Sequence, residues 1–480
     1  MTYEVVIGIE THVELLTRSK MFCGCPTEFG SEPNTNVCPV CLGLPGALPV
    51  PNERAIEWTM SLGLALDCAI AGHSIFHRKN YFYADLPKNY QISQFDLPLC
   101  VGGHLDIDAG AGVRRVGITR VHLEEDTGKS THLGGSGRIH DARGALIDFN
   151  RSGIPLMEVV SEPDMHTPEE ARAYAQELRA IVLALGVSDA RLEEGSFRFD
   201  ANISLRPVGA ATLGSKVEVK NMNSLRSLQR ALAFEIDRQT LVLDRGDRIP
   251  QETRHWDEAA GRTESGRSKE ESSDYRYFAE PDLVPLSVGP EKLALLQAAV
   301  PELPAARRAR YVVSGLDEAA ARTLVVSGLT GLFDEAVIAG ADPRLAANWL
   351  TGEITAHLNR AGVDQAALPL DGGQLAELVA MIEGGELSAT AAKDVLAGVL
   401  GGEGSPRTVA EARDLLQITD TGALESAVDE VIAAHPDEVA RIRGGEARLV
   451  GFLVGRVMKA TGGKADPTAV DGMIRERAGA

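Results

Sequence analysis

The stretch Val5-Val6-Ile7-Gly8-Ile9-Glu10-Thr11-His12-Val13-Glu14-Leu15 carries apolar Val5, Ile7, Ile9, Val13 and Leu15 at odd positions and Glu10, His12 and Glu14 at even ones. A period of two is that of a β-strand, so the three polar side chains leave one face together. The alternation recurs in Ser196 to Arg206, where Phe197, Phe199, Ala201, Ile203 and Leu205 oppose Ser196, Arg198, Asp200, Asn202, Ser204 and Arg206. Lys216-Val217-Glu218-Val219-Lys220 repeats it. Any one such strand matches a solvated sheet face. Three together mix Glu10, Asp200 and Glu218 with Arg198 and Lys220, a surface able to hold a divalent cation through carboxylates and triphosphate oxygens through cations. Arg120 to Asp126 adds three consecutive acids, and the alternation leaves open which one turns inward. Glu158, alone in the apolar run Pro155 to Val160, is costly to bury unpaired, so it is either exposed at an edge or holding something.

Around these strands the first 290 residues are rich in alternation, turns and Asn/Tyr/Pro loops. One helix interrupts them: Thr167-Pro168-Glu169-Glu170 reads as an N-cap, a first-turn proline and a capping-box glutamate, and Gly186 as the stop. Beyond Pro290 the texture turns to Ala, Leu, Glu and Arg at helical spacing, as in Glu318 to Val326 and Leu345 to Leu358. Gly401 to Pro406 reads as a linker. The expected organisation is α+β: a sheet domain over 1–290, an all-helical domain over 291–404 and a small helical tail over 405–480. At 480 residues the chain exceeds what one core usually supports.

The net charge of −20 argues against wrapping duplex nucleic acid. Residues 441–480 are the exception, with eight basic and four acidic residues, a local +4. This reads either as a solvated helix face or as a nucleic-acid contact. No apolar run is long enough for a membrane span and the start lacks a signal-peptide pattern, so a cytoplasmic protein with no membrane partner is expected. Cysteines there are thiols by default. Cys23-Gly24-Cys25 and Cys38-Pro39-Val40-Cys41 offer four thiolates for a closed structural zinc site, or else four buried thiols. Gly128-Lys129-Ser130 imitates the end of a P-loop, but Leu123 stands where its upstream glycine would be required.

Several stretches resemble the GatB family, the B subunits of glutamyl/aspartyl-tRNA amidotransferases. They are Ile7 to Leu15, CPVCLGLPGALPV from Cys38, RKNYFYADLPKNYQISQ from Arg78 and ITRVHLEEDTGKS from Ile118, then DFNRSGIPLMEVVSEPD from Asp148, EEGSFRFDANISLRP from Glu193, VEVKNMNS from Val217 and SKEESSDYRYFAEPDL from Ser268. Ala347-Asn348-Trp349-Leu350 and GFLVGRVMKATGGKADP from Gly451 extend the resemblance toward the end. Ala84 and Ala279 depart from it, standing where the family carries proline.

The resemblance implies a glutamine-synthetase-like antiparallel sheet, the cradle, followed by helical and tail domains. It implies ATP- and Mg²⁺-dependent phosphorylation of the side-chain carboxylate of Glu-tRNA(Gln) or Asp-tRNA(Asn), then amidation by ammonia from a glutaminase partner, GatA, clamped by the small GatC subunit. Under it, Glu10, His12, Glu125 and Glu158 are expected at magnesium, and Arg198 and Lys220 at phosphate oxygens. Asp200, Asn202 and Glu218 would complete or orient the site, Lys79 and Lys88 would reach ATP or the acceptor end, and Arg456, Lys459 and Lys464 would contact the tRNA backbone.

Overall fold

The computed structural model describes residues 2–110, 112–134, 142–266, 275–361, 368–417 and 421–479. The Ser268 to Asp274 part of the expected family motif lies outside them. In chain order the strands are β1 (Tyr3–Glu14), β2 (Ala69–Ile70), β3 (His73–Ser74), β4 (His77–Asn80), β5 (Tyr90–Ser93), β6 (Cys100–Asp108), β7 (Val113–Glu125), β8 (Lys129–Leu133), β9 (Gly144–Asp148), β10 (Pro155–Ser161), β11 (Phe197–Pro207), β12 (Val217–Lys220), β13 (Glu252–Asp257), β14 (Arg262–Ser265), β15 (Phe278–Ala279) and β16 (Leu286–Ser287). Among the described residues nine of them form one sheet, in the order β14-β13-β12-β11-β1-β10-β7-β6-β2. Its named pairings are antiparallel except β12 with β13, which run parallel. A parallel neighbour needs a crossover, and the helix Leu225–Asp244 supplies it.

Helices α1 (Glu53–Ala65), α2 (Pro168–Leu185) and α3 (Leu225–Asp244) share one core with the odd-numbered residues of β1, including Ile7, Ile9 and Val13 at almost no exposure. The opposite face stays polar. Helix α2 starts and stops as its sequence demands: Thr167 accepts from the Glu170 amide, and Gly186 closes it at a left-handed φ of 66°. Glu170 departs from the expected capping box. Its carboxylate accepts from the amide of His166 at 2.6 Å and from Arg114 at 2.6 Å, stitching the helix start to β7.

Helix α4 (Pro290–Ala299) belongs to the first compact unit, which runs to Pro304, beyond the expected boundary at 290. Its Lys292 pairs with Glu57 of α1, and Leu296 packs against the sheet core. The second unit, Ala305–Ala480, holds two apolar clusters. Tyr311 to Ala410 build the first, and Leu424 to Ala478 the second. The expected boundary at 404 therefore falls inside the first cluster, because Val409 and Ala410 are buried in it. The helical run from Pro343 is continuous but opens into one π-turn at Leu350–Ile354, where Thr355 Oγ1 donates to the Leu350 carbonyl at 2.7 Å.

Glu235 ties α3 to β13 and β14. Its fully buried carboxylate accepts from Arg238, Gln239 and Thr263 and sits 3.1 Å from Arg254. Burial opposes its charge, but these donors outweigh burial and hold the carboxyl below the usual carboxylate range. A depressed carboxyl stabilises the fold above the unfolded value, near 4.5, and loses that contribution as pH falls through its folded value. Glu235→Gln is predicted to flatten the acid limb of thermal stability and to cost about 3 kcal/mol at neutral pH, read by thermal unfolding across pH.

Candidate functional site

The polar face is assembled by register. On β1, His12 lies opposite Arg198 of β11 on one side and Glu158 of β10 on the other, and Glu158 lies opposite His122 of β7. Glu10 lies opposite Asp200, and Asn202 opposite Glu218 of β12. Residues far apart in the chain thus become cross-strand neighbours on one side of the sheet.

Three groups of side chains result. In the first, His12 Nε2 is 3.3 Å from Glu158 Oε2, and His122 Nε2 is 3.7 Å from both Glu124 Oε2 and Glu158 Oε2. Ser93 donates to Glu124 at 2.9 Å. Potential ligand atoms of His12, Glu124 and Glu158 lie within 4.8 Å of one another. Burial opposes ionisation of Glu124 and Glu158, yet the nearby histidines and Lys79 outweigh it and hold both carboxyls below the usual range, Glu158 well below. Burial likewise disfavours the charged forms of His12 and Lys79, but Glu158 and Glu124 help to raise both. Each charge is tolerated because the others are present.

The second group is Glu10, Asp200 and Glu218, again with ligand atoms within 4.8 Å. Asn202 Nδ2 donates to Glu10 at 3.0 Å, Lys220 pairs with Asp200 and lies 3.5 Å from Glu218, and Thr253 donates to Glu218 at 2.8 Å. Asn202 Oδ1 is buried with no hydrogen-bond partner. A carbonyl oxygen left without a donor beside three carboxylates is a donor set suited to a hard cation. In the third group Arg198 donates to Asp126 at 2.8 Å, and Arg151 lies 3.7 Å from the same carboxylate. Burial and the Asp126 charge push Glu14 up to about 9.

Of the four residues expected at one magnesium, only His12 and Glu158 share a group; Glu10 lies in the second group, and Glu125 joins neither. The pleat sends it to the opposite face from Glu124, where it pairs with Lys88 and accepts from the Ile92 amide at 2.8 Å. This corrects the expected ligand grouping, with Glu124 at the position assigned to Glu125. It also removes Lys88 from the open face, since both side chains of that pair are almost wholly buried. Lys79 does face the first group, its ammonium 5.1 Å from the Tyr275 ring centroid. His122, Glu124, Asp126 and Ser93 went unassigned in the sequence. For two of them a signal existed: Arg120, His122 and Glu124 alternate with buried Val121 and Leu123.

The four thiols converge. Cys23, Cys25, Cys38 and Cys41 offer sulfurs within 4.8 Å of one another, Cys38 and Cys41 at 3.9 Å. A tetrahedral four-thiolate zinc site needs sulfurs roughly 3.8 Å apart, so the set fits with little contraction. Cys41 is brought down to about 5 by the Cys23 thiol, with help from the Cys38 amide and from Lys20, whose buried ammonium is 3.8 Å away. Cys23, Cys41 and Lys20 share a cavity of about 80 Å³ with Lys88 and Glu125.

In the second unit Arg456 lies 5.2 Å over the Phe452 ring on the helix Leu449–Ala460 and is exposed, as is Lys459, while Lys464 pairs with Asp414.

Glu125→Gln leaves the Lys88 ammonium buried without its counter-charge, so a loss of about 3–5 kcal/mol is expected in denaturant unfolding. Lys88→Met with Glu125→Leu should recover most of it, and an unchanged midpoint in the single variant would count against the pair.

The chain matches the GatB/GatE catalytic domain model over residues 5–294 and the GatB domain model over residues 331–477. It is 53% identical to the aspartyl/glutamyl-tRNA(Asn/Gln) amidotransferase B subunit of Frankia casuarinae, over 99% of this chain and 96% of that one. It is 52% identical to the protein of the same name from Salinispora arenicola, over 100% of this chain and 97% of that one. For the one from Thermosynechococcus vestitus the identity is 51%, over 99% of this chain and 97% of that one. Domain matches in chain order and identity sustained end to end have one reading: the chain belongs to the GatB family.

Proposed function

We propose that this chain is the phosphoryl-transfer and amidation subunit of a tRNA-dependent amidotransferase. It would phosphorylate the side-chain carboxylate of Glu-tRNA(Gln), Asp-tRNA(Asn) or both with ATP, and exchange the phosphate for ammonia. The observation that carries the reading is the pair of carboxylate groups, His12/Glu124/Glu158 and Glu10/Asp200/Glu218, side by side on one sheet face with Lys79, Lys220 and Arg198 around them.

The chemistry needs that mixture. A substrate carboxylate and a triphosphate repel each other, so attack on the γ-phosphorus requires fixed positive charge at both. Lys220 and Arg198 would receive phosphate oxygens, each leaving its present carboxylate partner, while Lys79 would neutralise the incoming carboxylate. Bound magnesium would neutralise phosphate charge between reactants. His12, Glu124 and Glu158 would hold one such ion, and Glu10, Asp200 and Glu218, with Asn202 nearby, a second. The imidazole of His12 is an unusual donor for magnesium and suits Mn²⁺ as well. Ser93 and His122 would keep Glu124 and Glu158 oriented and ionised. Keeping the acyl phosphate from water until ammonia arrives is the remaining task of the enclosing loops.

Ammonia would come from a glutaminase partner, GatA, held with this chain by GatC. Arg456, Lys459 and Lys464 would contact tRNA phosphates, which attract cations without requiring sequence readout. The Cys23/Cys25/Cys38/Cys41 set would hold structural zinc, since four protein thiolates leave no open coordination position.

In the complex with both partners, and with ammonium as nitrogen donor, Glu124→Gln is expected to slow tRNA-dependent ADP formation and amidation together by about 10²-fold or more. Wild-type rates in that variant would contradict the reading, and comparison of Glu-tRNA(Gln) with Asp-tRNA(Asn) identifies the substrate. Metal analysis of protein purified without added zinc should find about one zinc per chain, lost in Cys41→Ser with a lower melting temperature. A metal-free wild type of undiminished stability would mean that the thiols are simply buried.

A further inference from the structure

Five aromatic rings form a continuous run of ring contacts, three edge-on and one stacked, beside the His12/Glu124/Glu158 group. Tyr83 lies 5.7 Å from Tyr81, Tyr81 lies 6.0 Å from Tyr275, Tyr275 lies 6.2 Å from Tyr277, and Tyr277 stacks on Phe95 at 4.4 Å with an 11° interplanar angle. The two ends are open to solvent, Tyr83 at 55% exposure and Phe95 at 51%. Lys79 sits between the rings and the acids. Its ammonium is 5.8 Å from the Tyr81 centroid and 5.1 Å from that of Tyr275, and it feels the charges of Glu124 and Glu158. Phe95 follows by two residues Ser93, whose hydroxyl holds Glu124, so the two backbones are at most about 7 Å apart.

We propose that this aromatic run is the stacking platform for the unpaired 3′-terminal bases of the aminoacylated tRNA, and that it aims the attached amino acid at Glu124 and Glu158. The inference deepens, and rests on, the function proposed above. Exposed aromatic rings grouped beside a charged pocket mark a surface that a partner covers. What covers it must bring flat rings for the aromatic faces and an anion for Lys79, and a nucleic-acid strand brings both. The ester-linked amino acid is carried on the terminal ribose, so the last bases must lie beside the reacting carboxylate. They are single-stranded there, and single strands are held by stacking on aromatic side chains. The adenine of ATP is the rival occupant. A single purine covers one ring face, whereas the run offers an exposed ring at each end, which favours successive bases over one.

The test uses the complete complex with its partner subunits and a tRNA whose terminal adenine is replaced by fluorescent 2-aminopurine. Binding to the wild type should quench the probe, as stacking does. Phe95→Ala should lose much of that quenching and raise KM for aminoacyl-tRNA roughly 10- to 100-fold while KM for ATP stays within about twofold. Phe95→Trp should restore both. Tyr83→Ala, at the exposed opposite end, gives an independent loss should Phe95→Ala fold poorly. Wild-type quenching and KM in both alanine variants overturn the proposal, and so does a rise in the ATP KM with the tRNA KM unchanged, which would assign the platform to the nucleotide. A wild-type complex that neither binds the labelled tRNA nor hydrolyses ATP in its presence would overturn the functional reading itself, and this inference with it.

Discussion

Two carboxylates, Glu124 and Glu158, are buried within reach of each other on a sheet face and held ionised there. Such an arrangement is unfavourable unless positive charge is built in around it. His12, His122 and Lys79 bring nitrogen donors to it from three separate strands, and the carboxylates in turn help to raise His12 and Lys79 against burial. The dependence is mutual, so the strand register that brings β1, β7 and β10 side by side is also what makes the group possible. A one-residue slip on any of these strands would turn its polar members into the helix-covered core and bring apolar ones out to the open face.

The chain keeps two kinds of donor apart. Soft thiols gather after β1, closed on themselves, whereas carboxylates, two histidines and the Asn202 amide oxygen gather on the open sheet face. Glu125 and Lys88 lie on the thiol side, as a buried pair sharing a cavity with Cys23 and Cys41. Consecutive glutamates therefore have unrelated surroundings, one among histidines and one against a lysine, because neighbouring side chains of a strand point to opposite faces.

Much of this is legible in the residues alone. The alternation in Val5 to Leu15 and Ser196 to Arg206 places Glu10, His12, Arg198, Asp200 and Asn202 on one face, and the register bears that out residue by residue. Caps at Thr167 and Gly186 bound α2 as read. What escapes depends on contacts that periodicity does not encode. Glu124 and Glu125 can be ordered only by carrying the alternation of Val121 and Leu123 to the end of the strand. The Lys88–Glu125 pair joins a loop to a strand 37 residues later. Domain limits shift for the same reason: α4 carries helical texture but packs a half-buried Leu296 against the sheet core, and Val409 lies beyond the glycine linker yet packs back onto the helices before it.

The central claim is that the His12/Glu124/Glu158 group is a divalent-cation site, and Mn²⁺ titration of the purified chain followed by electron paramagnetic resonance tests it most directly. The account predicts saturable Mn²⁺ binding, competed by Mg²⁺, of which one equivalent is lost on replacing Glu158 with Gln and none on replacing Glu125 with Gln. Equal binding in wild type and the Glu158 variant, or loss through Glu125 alone in a folded chain, would contradict it.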